Sequence, residues 1–231
     1  MNHILCVKWG NKYISEYANV LYNMCKRHTT VPYEFHCVTD DVTGLNPDIH
    51  VIKFPKDVSW IKTWWSKLWM FSDALPIKGN VLYFDLDVVI HRNIDALFTY
   101  QGKFNIIRDF NRCRIKDWSY CNSSVMRWRT GEMNYLHDDF IQRPHEIMGQ
   151  NHGDQDWITK RAKQDVTHWP DDWIRSYKWE MIGLKDTKIR KGKKFVFERE
   201  PDLSPENRVA VFHGEPKPFN CGDEFVVKNW Q

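Results

Sequence analysis

Gly79-Asn80-Val81-Leu82-Tyr83-Phe84-Asp85-Leu86-Asp87-Val88-Val89-Ile90 joins an apolar run to two carboxylates one residue apart. Val81 to Phe84 suit a strand covered on both faces, and Gly79-Asn80 supplies the turn before it. Asp85 and Asp87 fall at strand period two, so both side chains can point the same way and share one hard divalent cation. The pattern alone is weak evidence. It recurs at Asp154-Gln155-Asp156, where acidic residues at the start of a helix also serve as plain dipole partners. The strand-end position is what favours chemistry, because α/β proteins bind ligands at the carboxyl ends of their strands.

Outward from this stretch, the chain reads as alternating strands and helices. Ile4 to Val7 is a strand, broken at Gly10-Asn11, with Ser15 placed to cap the helix that follows. Ile14, Tyr17, Ala18, Leu21, Met24 and Cys25 recur at helical spacing, and Lys26-Arg27-His28 close that helix. Tyr33 to Thr39 and Ile49 to Phe54 are the next strands, and β-α-β order implies a parallel sheet with right-handed crossovers. Trp60 to Phe71 reads as a Trp-rich core helix in which Lys67 either snorkels to solvent or faces a ligand. Phe104 to Arg108 and Asn122 to Trp128 are strands, Asp139 to Gly153 is loop, and Arg208 to Phe212 is a strand leading into His213-Gly214. The expected fold class is α/β, with a mostly parallel central sheet flanked by helices.

Composition supports one large, aromatic-rich core. The 231 residues are 42% hydrophobic and 15% aromatic, with 12 Trp, and no linker or repeat divides them, so residues 1–231 are expected to form a single domain. A formal charge of +3 argues against a general polyelectrolyte role. Basic residues do cluster at Arg108 to Lys116 and at Lys185 to Lys194, the latter a hairpin-like excursion around Gly192. Such runs are solvated faces or sites for an anionic acceptor or membrane surface, and nucleic acid is the least favoured partner. Six scattered cysteines read as reduced thiols. With no Cys-x-x-Cys and no His-x-x-x-His on a predicted helix, nothing in the spacing signals zinc. No run of about eighteen apolar residues is present, and the expected location is cytoplasmic, peripheral to a membrane at most.

Four features in fixed order carry a resemblance to a known family: the first strand with Tyr13, the Tyr-Phe-Asp-Leu-Asp strand, Asn122-Ser123-Ser124 followed by Asp154-Gln155-Asp156, and the terminal Gly214-x-x-Lys217-Pro218-aromatic. Together they resemble nucleotide-sugar glycosyltransferases of the GT-A fold, in particular glycosyltransferase family eight, the glycogenin-like enzymes. The resemblance spans residues 4 to 219. It implies that Asp85 and Asp87 bind a manganese or magnesium ion bridging a donor diphosphate, and that Lys217 and Lys67 add positive charge there. It implies that Tyr13 stacks on uracil, that Lys8, Leu86, Ser123 and Gly214 line the donor site, and that Asn122, Asp154 and Gln155 contact the donor sugar. Gln155, with Asp154, is then placed at the reacting carbon. Asp109, at a strand end, is added on physical grounds as an acceptor for a sugar hydroxyl.

One departure concerns the third metal ligand. In the family it lies three residues before the glycine of Gly-x-x-Lys-Pro, where this chain has Val211, whereas His213 directly precedes Gly214. Ser124 also replaces a frequent glycine. The expected activity is transfer of a hexose from a UDP-linked sugar to a saccharide or glycolipid acceptor, with retention. An inverting reaction would require Asp109, Asp154 or Asp156 as base. The alternative from another class is a catalytically silent GT-A-fold protein that binds carbohydrate or nucleotide.

Overall fold

A β-α-β unit starts the main sheet. β1 (Asn2–Lys8) leads into α1 (Ser15–His28), which returns the chain to β2 (Glu34–Thr39), and β3 (His50–Lys53) follows. β1 pairs with β2 and β2 with β3, both in parallel. Tyr17, Ala18, Leu21, Met24 and Cys25 form the buried face of α1, and its last turn carries the three basic residues. Ser15 is the first helical residue and not the cap. Ile14 holds the cap position without a side-chain hydrogen bond. These coordinates are a computed structural model that describes residues 1–55, 60–61, 63–190 and 193–231.

The remaining elements are β4 (Asn80–Phe84), β5 (Val88–Ile90), α2 (Asp95–Thr99), β6 (Phe104–Arg108), β7 (Cys121–Arg129), α3 (Tyr135–Gln142), α4 (Pro144–Gln150), α5 (Asp154–Arg161), β8 (Val166–His168), β9 (Ile174–Ser176), β10 (Leu184–Arg190), β11 (Lys193–Arg199), β12 (Val209–Val211) and α6 (Glu224–Asn229). The main sheet has the order β3-β2-β1-β4-β7-β6-β8. It is mostly parallel, with β7 running against both its neighbours. A small sheet, β5-β12-β9, stands beside it. β10 and β11 form an antiparallel hairpin, as the basic run implied, although Gly192 lies outside the described residues.

β4 is the centre of the packing. Leu82 and Phe84 join the hydrophobic layer that holds α1, while Val81 and Tyr83 join the opposite layer with Trp65, Leu68, Trp69, Phe71 and Trp128. Burial of each such large side chain contributes roughly 1.5–3 kcal/mol. Gly79 enters the strand at φ +140°, and a Cβ there would fall 2.4 Å from the Met1 carbonyl oxygen, so the turn needs glycine.

Three local expectations are corrected. Residues 139–153, expected to be loop, largely belong to α3 and α4, which bury Leu136, Phe140 and Ile147 and use Pro144 at the start of α4. The Trp-rich segment is a 3-10 helix, Thr63–Phe71, and Lys67 turns inward. The basic stretch at 108–116 is in part internal. Arg108 pairs with Asp171, and Arg112, with a side chain 4% exposed, pairs with Asp171 and Glu180. Much of that charge is therefore spent inside the fold and not offered to a membrane or nucleic acid. Among the described residues no helix is long and apolar enough to cross a membrane.

Candidate active site

A cavity of about 590 Å³ opens at the carboxyl ends of β1 and β4. Asp85 and Asp87 lie in the turn that leaves β4 and enters β5. The Asp85 backbone N–H donates to the Ser124 carbonyl of β7 at 2.8 Å, and the Asp87 carbonyl accepts from Phe212 N–H, just after β12, at 3.1 Å. One carboxylate is thus anchored to the main sheet and the other to the small one.

Each carboxylate has a lysine and a tyrosine. The Lys67 ammonium lies 2.9 Å from Asp85 Oδ1, and the Tyr83 hydroxyl donates to the same oxygen at 2.6 Å. Burial pushes the Asp85 carboxyl up, but Lys67 and Tyr83 overcome this and hold it below the usual carboxylate range. Asp87 accepts from the Tyr13 hydroxyl at 2.9 Å and pairs with Lys217, whose ammonium also donates to the Phe212 carbonyl at 3.1 Å. Burial, and then the Asp87 charge, raise the Tyr13 phenol above its ordinary value and keep it a donor.

The sugar side is built by the start of α5 and the start of β7. Ser123 donates to Asp154 Oδ2 at 2.6 Å, and Lys67 lies 3.6 Å from the same oxygen while donating to Ser123 Oγ at 3.1 Å. Burial lifts the Asp154 carboxyl above its usual range despite Lys67. Burial works against the Lys67 charge too, but Asp154 and Asp85 outweigh it and raise the ammonium above an ordinary lysine. Asn122, Gln155 and Leu86 complete this wall.

His213 and Gly214 also line the cavity. The His213 ring stacks on Phe110 and meets the edge of Trp179, and its Nε2 is 2.7 Å from Ser176 Oγ. Burial first, then Lys178, Lys217 and Arg114, push its pKa down to about 3, so the imidazole is neutral at physiological pH. Two carboxylates and a neutral imidazole are a donor set that suits manganese or magnesium, and the ammonium groups of Lys67 and Lys217 already sit where cationic charge is favoured. Among the described residues, Asp85, Asp87 and His213 do not bring their ligand atoms within 4.8 Å of one another.

The structure therefore gathers Tyr13, Lys67, Asp85, Leu86, Asp87, Asn122, Ser123, Asp154, Gln155, His213, Gly214 and Lys217 around one space. Lys8 and Asp109 are not in that lining. Lys8 is buried toward Asp41, and the Asp109 carboxylate caps its own turn, accepting from the Asn111 N–H and from Trp118 Nε1. Sequence reasoning missed the Tyr83 hydroxyl, together with Trp9, Trp64 and His152 of the cavity wall. Tyr83 had a signal, since it precedes Asp85 by two and so shares its face. Trp64 is placed by Gly153, where a Cβ would fall 2.8 Å from the indole nitrogen.

No protein-family profile matches the chain, and no curated protein matches it in sequence. Solved structures do match. An active-site mutant of LgtC superposes with a TM-score of 0.67 at 13% identity, over 98% of this chain and 93% of LgtC. The galactosyltransferase LgtC in complex with donor and acceptor sugar analogues gives 0.65 at 14%, with the same coverage. The bifunctional glycosyltransferase WbbM gives 0.62 at 11%, over 94% of this chain but 46% of WbbM. The glycosyltransferase GlyE of Streptococcus pneumoniae TIGR4 gives 0.60 at 12%, over 95% of this chain and 56% of GlyE. At such identities the likeness is one of architecture, and the chain has the GT-A glycosyltransferase fold.

Proposed function

We propose that the chain is a metal-dependent glycosyltransferase that moves a hexose from a UDP-linked sugar to a saccharide or glycolipid acceptor, with retention at the transferred carbon. One observation carries this reading: Asp85 and Asp87, each engaged by a lysine and a tyrosine, face the Asp154-Gln155 turn across one cavity of about 590 Å³. That volume suits a nucleotide sugar. The LgtC complex with donor and acceptor sugar analogues supports the same substrate classes by analogy of fold.

Asp85 and Asp87, with neutral His213, would hold manganese or magnesium. When bound, the cation supplies charge to a departing diphosphate without a proton transfer. Lys217 adds a point charge on the same diphosphate, and the Tyr13 ring offers a stacking face for the base. Lys67 fixes Asp85 and Asp154 together, so the metal side and the sugar side keep one spacing. Asn122, Asp154 and Gln155 accept or donate hydrogen bonds to sugar hydroxyls, with Gln155 beside the reacting carbon. In a retaining transfer the acceptor hydroxyl enters on the face that the diphosphate leaves. The leaving phosphate can take its proton, and no side-chain base is required.

Calorimetric titration with UDP, with and without manganese, tests the assignment, followed by a screen of UDP- and GDP-sugars for nucleotide release. UDP should bind more tightly with manganese, and Asp85→Ala plus Asp87→Ala should abolish that gain. Absence of UDP binding, or a manganese gain that survives the double substitution, would overturn the proposal. Binding with no release from any donor would leave the silent binding protein as the reading.

A further inference from the structure

At the other end of β1, away from the cavity, three potential ligands converge. His3 Nδ1 and His36 Nε2 are 3.1 Å apart, His3 Nδ1 and Glu34 Oε2 are 3.3 Å apart, and His36 Nε2 and Glu34 Oε2 are 3.5 Å apart. In a tetrahedral site with metal–ligand bonds of about 2.0–2.1 Å, ligand atoms are separated by roughly 3.3–3.4 Å. The triangle therefore already has the edge lengths of one face of such a tetrahedron. Among the described residues, this is also the one group of three metal-binding side chains whose ligand atoms lie within 4.8 Å of one another.

Strand geometry explains the convergence. Glu34 is the direct register partner of His3 across the β1–β2 pair, and His36 follows two residues later on the same face of β2. Zinc spacing rules built on helices and short loops could not reveal it, because the two histidines come from different strands. His3 Nε2 is 3.1 Å from the Lys78 carbonyl oxygen. A carbonyl only accepts, so that nitrogen carries the hydrogen and Nδ1 presents its lone pair to the triangle. This backbone-oriented imidazole is the arrangement that metal-ligating histidines use to fix their tautomer. Both histidines are buried, at 4% and 6% exposure, while the Glu34 side chain is 44% exposed, which gives solvent access on that side.

We propose that His3, Glu34 and His36 form a second metal site, a three-ligand site of zinc type with solvent as fourth ligand, that links β1 to β2 at the amino-terminal end of these strands, remote from the catalytic cavity. Two imidazoles select zinc, cobalt or nickel over magnesium and manganese, so this site and the Asp85/Asp87 pair take different metals. The proposal does not depend on the activity assigned to the cavity.

Titration of the untagged, metal-stripped protein with cobalt, followed by zinc competition, tests it. Cobalt should bind at one equivalent with the intense visible bands of tetrahedral coordination, and zinc should displace it. The bands should persist in Asp85→Asn plus Asp87→Asn. Glu34→Gln, a conservative change at a half-exposed position, should weaken cobalt at least about 100-fold while leaving the circular dichroism unchanged, and His36→Phe should abolish the bands. Absence of tetrahedral bands in the wild type would overturn the proposal. So would bands lost with Asp85 and Asp87 but retained in Glu34→Gln, and the three groups would then be a hydrogen-bonded cluster only.

Discussion

Between Asp85 and Asp154 stands the ammonium of Lys67, 2.9 Å from one carboxylate and 3.6 Å from the other. Its removal leaves the buried Asp154 carboxylate facing the half-buried Asp85, so Lys67→Met should destabilise the protein by about 3 kcal/mol at neutral pH, measured by urea denaturation in metal-free buffer. The sign with pH follows from the same contacts. In the wild type the depressed Asp85 contributes stability above its unfolded pKa, lost as pH falls through its folded value, while the raised Asp154 contributes in the opposite sense. Without Lys67 both carboxyls rise. The folded variant then binds protons that the unfolded chain has released, and its deficit should be smaller at pH 5 than at pH 8. For Lys217→Ala, loss of one charge-assisted contact to the donor should weaken UDP about 10- to 100-fold by calorimetry. Much of the lining was legible in the sequence, because Asp85 and Asp87 directly follow a continuous apolar strand and Tyr13, Gln155 and Lys217 follow a known order, although the two carboxylates lie in the turn after that strand and not on it. Lys8 and Asp109 lie outside the cavity lining for one reason. A strand-end position predicts where a backbone arrives, whereas Asp41 and the Asn111 turn decide where those side chains go.

At the scale of elements, Arg112 joins the 3-10 turn Phe110–Cys113 to the short π-helix Tyr177–Met181 through Glu180, whose side chain is 1% exposed. Arg112→Met leaves that carboxylate with Arg175, 3.8 Å away, as its cationic partner among the described residues. A loss of about 3 kcal/mol is expected in the urea-unfolding free energy. Because Glu180 also accepts from the Ser176 N–H, and Ser176 contacts His213, the change should also weaken manganese-dependent UDP binding. Gly79→Ala places a Cβ against the Met1 carbonyl at a positive φ and should cost about 2 kcal/mol, read the same way. The strands around Gly79 were legible because their apolar runs are continuous. α3 and α4 were not, since each buries only one or two residues, and packing of α3 against the Trp-rich segment and of α4 against α3, not periodicity, decides them.

Across the whole molecule, burial depresses five histidines: His36 and His91 to about 4, His213 to about 3, and His28 and His168 below their ordinary value as well. Unfolded, each titrates near 6.5. Between these values the unfolded chain holds protons that the folded chain does not, so stability is fully present above pH 6.5 and falls as the solution is acidified. Each such proton gives a slope of about 1.4 kcal/mol per pH unit. In EDTA, unfolding near pH 5.5 should have these histidines take up at least about two to three protons, measured as the pH dependence of the urea-unfolding free energy.

The two anchor points of the Asp85-Leu86-Asp87 turn have a mechanical consequence. Asp85 is fixed to β7 through Ser124, and Asp87 to the end of β12 through Phe212. The gap between the carboxylates is therefore a caliper on the gap between the two sheets. A cation held by both residues spans that seam, and hydrogen exchange should slow in β7 and β12 together when manganese and UDP are added, although neither strand is next to the other in the chain.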